Sequence, residues 1–269
     1  MAFNNFICYA FIIKQLREID MQNPESQWFG RKSVSPQEKT KLVLNVFDSV
    51  ASRYDLMNDL MSLGIHRLWK DTLIRQINPR PHMKFLDVAG GTGDIAFRLA
   101  KAAGTNEHIT ISDINAQMLE VGKARAIDNG FVSGFKWVEA NAESLPFADN
   151  IFDAYTISFG LRNVTHIDNA LKEAYRVLKP GGRFYCLEFS HLENDVLQKL
   201  YDLYSFTLIP KMGELVTNDK DSYQYLVESI RAFPNREDLN ARLRKSGFDI
   251  AKSKALSMGI VAIHEAWKF

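Results

Sequence analysis

FLDVAGGTGDIAFRLA, residues 85–100, passes from an apolar run through a cluster of glycines into a helical pattern. Lys84 to Ala89 reads as a buried strand, and Asp94 to about Ala103 as the helix that follows it. Gly90, Gly91 and Gly93 lie between them and would bring bare backbone close to a ligand at the helix N-terminus. The spacing Gly91-x-Gly93-x-x-Ala96 fits the dinucleotide fingerprint. Asp113 lies twenty residues past Gly93, at the end of the second predicted strand, where an acid would grip ribose hydroxyls. The turn alone therefore specifies a nucleoside-bearing cofactor and no more, since every ligand class of such a fold binds there.

Working outward, the alternation repeats. His108–Ser112 is a strand and Ala116 to about Asn129 a helix; Phe135–Glu139 is a strand. Phe152–Phe159 is a strand and Ile167–Leu178 a helix. Lys179-Pro180-Gly181-Gly182 reads as a sharp turn before a strand over Arg183–Phe189. Repeated strand–helix units with apolar strands predict an α/β fold, a doubly wound sheet covered on both faces. A helix over Arg236–Ser246 and a hairpin of Phe248–Ser253 with Ile260–Lys268 would close it as a mostly parallel, seven-stranded sheet. Before the core, Ser35 and Pro36 read as a cap and first residue of a helix that carries Val43, Val46 and Phe47. Leu56, Leu60 and Leu63 continue at helical spacing, and HRLWKDTLIRQI (66–77) is a further helix stopped at Asn78-Pro79. An aromatic-rich helical region spans about Asp195 to Phe233.

Composition excludes several classes. The 269 residues are 46% hydrophobic and 24% charged, ordinary globular usage for one large domain. A net charge of +1 gives no global basic field, so nucleic acid is not an expected partner. Cys8 and Cys186 are too far apart for a disulfide framework or a metal motif, and no metal site is expected. The apolar run FICYAFII near the N-terminus is too short to span a bilayer and lacks the marks of a secretory signal. Residues 1–20 read as a disordered extension or the product of too early a start codon, with an organelle-targeting peptide as the third option.

Four features favour S-adenosylmethionine over a dinucleotide. Asp87 stands inside the strand before the turn, where it would oppose a pyrophosphate but attract an ammonium and a sulfonium. Asn141-Ala142-Glu143-Ser144-Leu145-Pro146-Phe147 follows the third strand and offers donors to an adenine edge. Helical material precedes the first strand. LKPGGRF leads into the fifth strand, and a terminal hairpin follows.

Together these features resemble the class I S-adenosylmethionine-dependent methyltransferases, whose core is Rossmann-like. The closer resemblance is to the C-methyltransferases of ubiquinone and menaquinone biosynthesis. It rests on VFDSVASRYDLMNDLMSLGIHRLWK (46–70), LDVAGGTGD (86–94), NAESLPF (141–147), ISFGLRNV (157–164), YRVLKPGGRF (175–184), LEFS (187–190) and DSYQYLVESIR (221–231). The resemblance runs from about Phe29 to Phe269. It implies an extension over 1–28 and a methyltransferase domain over 29–269. That domain divides into a helical cap (29–80), a cofactor-binding core (81–190), a helical lid inserted after strand five (191–235) and a C-terminal helix and hairpin (236–269). The expected cofactor contacts are Asp87, Gly91, Thr92 and Gly93 at the turn, Asp113 on the ribose, Asn141 and Ala142 at the adenine, and Ser158 at the end of strand four.

The substrates implied are prenylated aromatic quinols, a demethylmenaquinol or a methoxy-polyprenyl-benzoquinol, methylated on a ring carbon. Such a carbon is a poor nucleophile until a neighbouring hydroxyl, with a pKa of about 10, loses its proton. A nearby cation lowers that pKa by roughly 1–3 units. Arg162 is the first candidate for phenolate stabilisation, and Arg162→Ala is expected to cut turnover while sparing cofactor affinity. Asn163 could orient the same hydroxyl. Tyr54, Asp55, Asn58 and His66 come from the cap, and His66 has the pKa suited to a general base. Tyr201, Tyr204, Phe206, Leu208, Ile209, Tyr223, Tyr225 and Phe233 suit a lipid-facing lid for the prenyl tail.

The resemblance implies a cytoplasmic enzyme (in the mitochondrial matrix in a eukaryote) that touches the membrane peripherally. A homodimer and a quinone-biosynthesis complex are both compatible with it. The alternatives are a methyltransferase for another small lipophilic acceptor, a non-catalytic cofactor-binding subunit, and an NAD-dependent dehydrogenase. The last is disfavoured by Asp87 and by the lack of a Tyr-x-x-x-Lys pair.

Overall fold

A computed structural model describes residues 27–29, 32–50, 58–59, 62, 64–191 and 220–269. Two short strands, β1 (Gln27–Phe29) and β2 (Lys32–Val34), pair antiparallel ahead of helix α1 (Pro36–Val50). The Ser35 hydroxyl accepts from the Glu38 backbone N–H at 3.2 Å, so Ser35 caps α1 and Pro36 opens it. Helix α2 covers His66–Ile77 and ends at Asn78, which takes a left-handed φ of 52° before Pro79. Leu56, Leu60 and Leu63 lie outside the described residues, as do residues 1–20.

The core follows as β3 (Phe85–Val88), α3 (Asp94–Ala103), β4 (Ile109–Asp113), α4 (Ala116–Asp128), β5 (Lys136–Glu139), β6 (Phe152–Ser158), α5 (Ile167–Val177) and β7 (Leu178–Phe189). The C-terminal part is α6 (Lys220–Ala232), α7 (Arg236–Lys245), β8 (Ile250–Leu256) and β9 (Val261–Trp267). The seven-stranded sheet runs β5-β4-β3-β6-β7-β9-β8. β3 to β7 are mutually parallel, and β9 inserts antiparallel between β7 and β8. This is the doubly wound, mostly parallel sheet that the sequence predicts.

Alternation along β3 explains the layering. Phe85 packs with Trp69 and Leu73 of α2 and Ile95 and Leu99 of α3. Leu86 and Val88 point to the other face, among Leu171 and Ala174 of α5 and Leu239 and Leu243 of α7. Leu73, Leu86, Leu99 and Leu171 are 0% exposed, and each such burial contributes about 1.5–3 kcal/mol. Cys186 is a buried core residue whose thiol pKa is pushed up by burial, which keeps it inert. Edge strand β8 exposes Lys252 and Lys254, charges that oppose pairing with another sheet.

One boundary differs from expectation. Lys179-Pro180-Gly181-Gly182 does not separate α5 from its strand: Leu178 already pairs with Phe152, and the register shifts before Arg183 meets Ala154. The segment is a bulge within β7. The Gly181 N–H donates to the Lys268 carbonyl at 2.7 Å, and the Lys268 N–H donates to the Gly182 carbonyl at 3.1 Å. The chain end thus satisfies polar groups that a free turn would leave to solvent.

β3 sits where the winding reverses, with β4 on one side and β6 on the other. A crevice is expected at the carboxyl ends of these strands.

Candidate active site

A cavity of about 120 Å³ opens at that point. It spans four strand ends: the glycine turn after β3, Asp113 of β4, Asn141 and Ala142 after β5, and Ser158 of β6. Val43, Leu44 and Phe47 of α1 form part of its apolar wall. Of the residues predicted from sequence, Asp87, Gly91, Thr92, Asp113, Asn141, Ala142, Ser158 and Asn163 line it.

The floor is set by close approach. A Cβ on Gly90 would stand 2.7 Å from Ile111 Cγ2 and 2.9 Å from Asp87 Oδ2, so only glycine fits beneath the carboxylate. Ala89 and Phe159 both hold positive φ, 50° and 56°, at the ends of β3 and β6. The two turns touch there, because a Cβ on Gly160 would lie 2.4 Å from the Ala89 Cβ. Left-handed non-glycine residues persist where the surroundings over-determine them, as they do across this crevice.

Two carboxylates face the cavity in different states. Asp87 and Thr156 are direct partners across β3 and β6, and the Thr156 hydroxyl donates to Asp87 Oδ1 at 2.7 Å. Asp87 Oδ2 is buried with no partner among the described residues. Burial raises the Asp87 pKa to about 7 against the pull of Thr156, and Asp113 and Asp94 push it the same way as burial. Asp113 is better satisfied: Oδ2 accepts the Gly91 N–H and Oδ1 the Asn115 N–H, each at 2.9 Å. Burial still lifts it to about 6, with those N–H bonds acting against the rise. The Ser158 hydroxyl is likewise buried without a partner among the described residues. Buried polar atoms left unpaired at a cavity wall are where a ligand completes the hydrogen bonding.

The loop after β5 is braced from behind. Asn141 Oδ1 accepts the Glu143 N–H at 3.0 Å, and Glu143 holds His166 through its backbone N–H at 3.1 Å and its Nδ1 at 2.6 Å. On the opposite side, the Tyr225 hydroxyl of α6 donates to Asn163 Oδ1 at 3.0 Å.

The remaining candidates lie elsewhere. Gly93 is in the turn but not on the cavity wall. Arg162 is buried and does not line the cavity. Its Nη1 meets Glu188 Oε1 at 2.8 Å, with side chains 3% and 0% exposed. Its backbone N–H points to Glu188 Oε2 at 3.4 Å, and Nη1 also donates to the Phe159 carbonyl. The expectation of a guanidinium facing the substrate therefore changes: the charge sits behind the turn, neutralised by an acid. His66 is also away from the wall, with Nε2 on Asp59 Oδ1 at 2.8 Å and its pKa lowered mainly by burial. Tyr54, Asp55, Tyr201, Tyr204, Phe206, Leu208 and Ile209 lie outside the described residues, and so does the side chain of Tyr223. Tyr225 and Phe233 are packed against protein rather than presented to lipid.

Among the polar residues of the wall that sequence reasoning missed are Lys70, Asp94 and Asn115. Asn115 caps α4 through the Met118 N–H at 2.9 Å and donates to Asp48 of α1 at 2.7 Å. Lys70 Nζ pairs with Asp94 Oδ2 at 2.7 Å. Its signal was present: His66, Lys70, Leu73 and Ile77 form one buried stripe of α2, and a cation on an apolar stripe needs a partner.

The model of the ubiE/COQ5 methyltransferase family matches residues 34–268. The ubiquinone/menaquinone biosynthesis C-methyltransferase UbiE of Brucella abortus (strain S19) is 57% identical over 242 residues, spanning 89% of this chain and 90% of that protein. The protein of the same name from Brucella anthropi is also 57% identical, over 89% of this chain and 92% of its own. Among solved structures, a SAM-dependent methyltransferase from Aquifex aeolicus matches with a TM-score of 0.54 at 16% identity, over 73% of this chain and 88% of that one. At that identity the likeness concerns the fold alone.

Proposed function

The chain belongs to the ubiE/COQ5 methyltransferase family, and from that premise we propose that it uses S-adenosylmethionine to methylate a ring carbon of a prenylated aromatic quinol. The observation that carries the cofactor reading is the unpartnered Asp87 Oδ2 on the cavity wall. A ligand with an ammonium and a sulfonium fits that atom, and a pyrophosphate does not. Asp113 has lone pairs left for a ribose diol, Ser158 a hydroxyl, and the loop at Asn141 and Ala142 backbone groups for an adenine edge. Thr92 and Gly91 bring the turn's backbone to the same ligand.

S-adenosylmethionine bound there supplies an electrophilic methyl group. The chain's own task is to hold the quinol as its phenolate and keep water away. Asn163 serves the first need: with Oδ1 held by Tyr225, its Nδ2 is left to donate to a ring oxygen. Arg162 acts as a positioning residue that fixes the turn carrying Phe159 and Asn163. The apolar wall of Val43, Leu44 and Phe47 suits the ring and the start of its tail. Among the described residues no helix is long and apolar enough to cross a membrane. The enzyme takes its substrate from the bilayer surface by peripheral contact.

Methyl transfer tests this reading directly. Purified protein, labelled S-adenosylmethionine and a short-chain demethylmenaquinol kept reduced by dithionite should yield a product heavier by one ring methyl. The same mixture with the quinone left oxidised should yield none, because the oxidised ring is electron-poor. Cofactor binding without transfer would redirect the search to a benzoquinol or another lipophilic acceptor.

Cofactor affinity should also depend on pH with a defined sign. A cationic ligand selects ionised Asp87, whose pKa stands at about 7 in the free protein. The dissociation constant is expected to fall by up to about tenfold per unit as pH rises towards 7. It should rise again above about 8, where the ligand's own amino group loses its proton. Asp94, Asp113 and Lys70 surround Asp87, and Asp113, with a pKa of about 6, adds to the slope at the acid end. Asp87→Asn should bind more weakly and flatten the profile between pH 6 and 7.5; calorimetry across that range would detect either outcome.

A further inference from the structure

The cavity wall holds Asp87, Asp94, Asp113 and Glu143, and Lys70 as its one cation among the described residues. The acids already have work. Glu143 is bound to His166, Asp113 to the Gly91 and Asn115 N–H groups, and Asp94 to Lys70 and Arg98. On the reading above, Asp87 meets the ligand's ammonium. The methionyl end of that ligand also carries a carboxylate, which no acid on this wall can accept. A carboxylate taken into so acidic a cavity needs a cation beside it.

Lys70 has the placement for that task. Its side chain is 5% exposed, and it descends from α2 onto the start of α3. The N-terminal end of the α3 dipole adds positive potential there. An ammonium has three donors, and Asp94 Oδ2 takes one of them at 2.7 Å. Arg98 holds the other oxygen of Asp94 at 2.9 Å, and Asp71 pairs with Arg98 at the half-exposed outer end. Asp94 thereby fixes Lys70 while its own charge is shared with a second cation.

We infer that Lys70 is the subsite for the α-carboxylate of S-adenosylmethionine and the residue that makes the cavity select an amino-acid-bearing sulfonium. The inference rests on the cofactor reading above. It predicts that Lys70 recognises the ligand itself rather than only bracing α2 against α3.

The test compares two ligands, S-adenosylmethionine and its decarboxylated form, which keeps the nucleoside, sulfonium and amine. Each is titrated calorimetrically into the wild-type chain, Lys70→Met and Lys70→Arg, with thermal melts of each protein alongside. The wild type should prefer S-adenosylmethionine by about tenfold or more. Lys70→Met should lose that preference, with affinity for the decarboxylated ligand changed less than about twofold; Lys70→Arg should keep it. Equal weakening of both ligands by Lys70→Met, or a preserved preference, would overturn the inference and leave Lys70 as a structural brace. Binding of neither ligand by the wild type would overturn the cofactor reading and the inference with it. Lys70→Met leaves Asp94 paired with Arg98, so a folded variant is expected; should it melt early, the comparison in Lys70→Arg still decides, since a lost preference there would count against a carboxylate–cation contact.

Discussion

Arg162→Ala is expected to destabilise the protein by about 3–5 kcal/mol, because it leaves one partner of a buried ion pair alone. For a domain of this size that is a fall in melting midpoint of roughly 6–20 °C. Glu188 is the partner, with a fully buried side chain. Its Oε1 accepts from Arg162 Nη1 at 2.8 Å and from the Phe189 N–H at 2.9 Å. Burial raises the Glu188 pKa, and Arg162 is the main force holding it down. Without the guanidinium the folded-state pKa climbs further. A carboxyl whose folded pKa lies above its unfolded value favours folding below the unfolded pKa and loses that contribution as pH rises through the folded one. The deficit of Arg162→Ala should therefore be larger at pH 8 than at pH 5. Arg162→Met combined with Glu188→Leu should recover most of the loss. Cofactor affinity should fall with turnover, since Ser158 and Asn163 flank the turn that the pair holds. Chemical denaturation at the two pH values checks each point. A variant of unchanged stability that has lost only turnover would return Arg162 to the role read from sequence, with its charge on the substrate.

The contrast between Arg162 and the glycine turn shows what this sequence discloses. That the glycine turn, Asp113 and the loop at Asn141 share one cavity is legible because each lies at a fixed distance past a strand end, and periodicity locates the strands. Phe85 to Val88 and Asp94 to Ala103 were readable for the same reason: one is wholly apolar but for Asp87, the other amphipathic. Arg162 and Glu188 are 26 residues apart and meet only because β6 and β7 are neighbours. The hint was Glu188 itself, an acid inside the apolar run FYCLEF, which burial obliges to find a cation. Lys70 carried the same kind of hint on the buried stripe of α2. His66 drew attention through its intrinsic pKa, yet the fold gives its Nε2 to Asp59. The bulge at Lys179–Gly182 could not be read locally, because its stabilising partner is Lys268 at the far end of the chain.

Asp113→Ala should cost the most on the ligand side, with S-adenosylmethionine bound about a hundredfold more weakly or worse. The carboxylate has two tasks. Its bonds to the Gly91 and Asn115 N–H groups tie the glycine turn to the end of β4. Its remaining lone pairs are those proposed for the ribose diol, and each hydrogen bond to a charged group contributes about 1.5–3 kcal/mol. Alanine removes both tasks and leaves two buried N–H groups unsatisfied. Asp113→Asn should rescue little, because an amide has one oxygen where the site uses two, and its NH₂ would face an N–H donor. The two tasks separate with a ligand that lacks the ribose 2′-hydroxyl. The wild-type chain should bind that analogue at least about tenfold more weakly than S-adenosylmethionine, while Asp113→Ala should bind the two alike. If the variant still discriminates between them, the 2′-hydroxyl is read by another group, and Asp113 serves the turn alone. If the wild type does not discriminate, the carboxylate holds the backbone but not the sugar, and the ribose must sit elsewhere along the four strand ends.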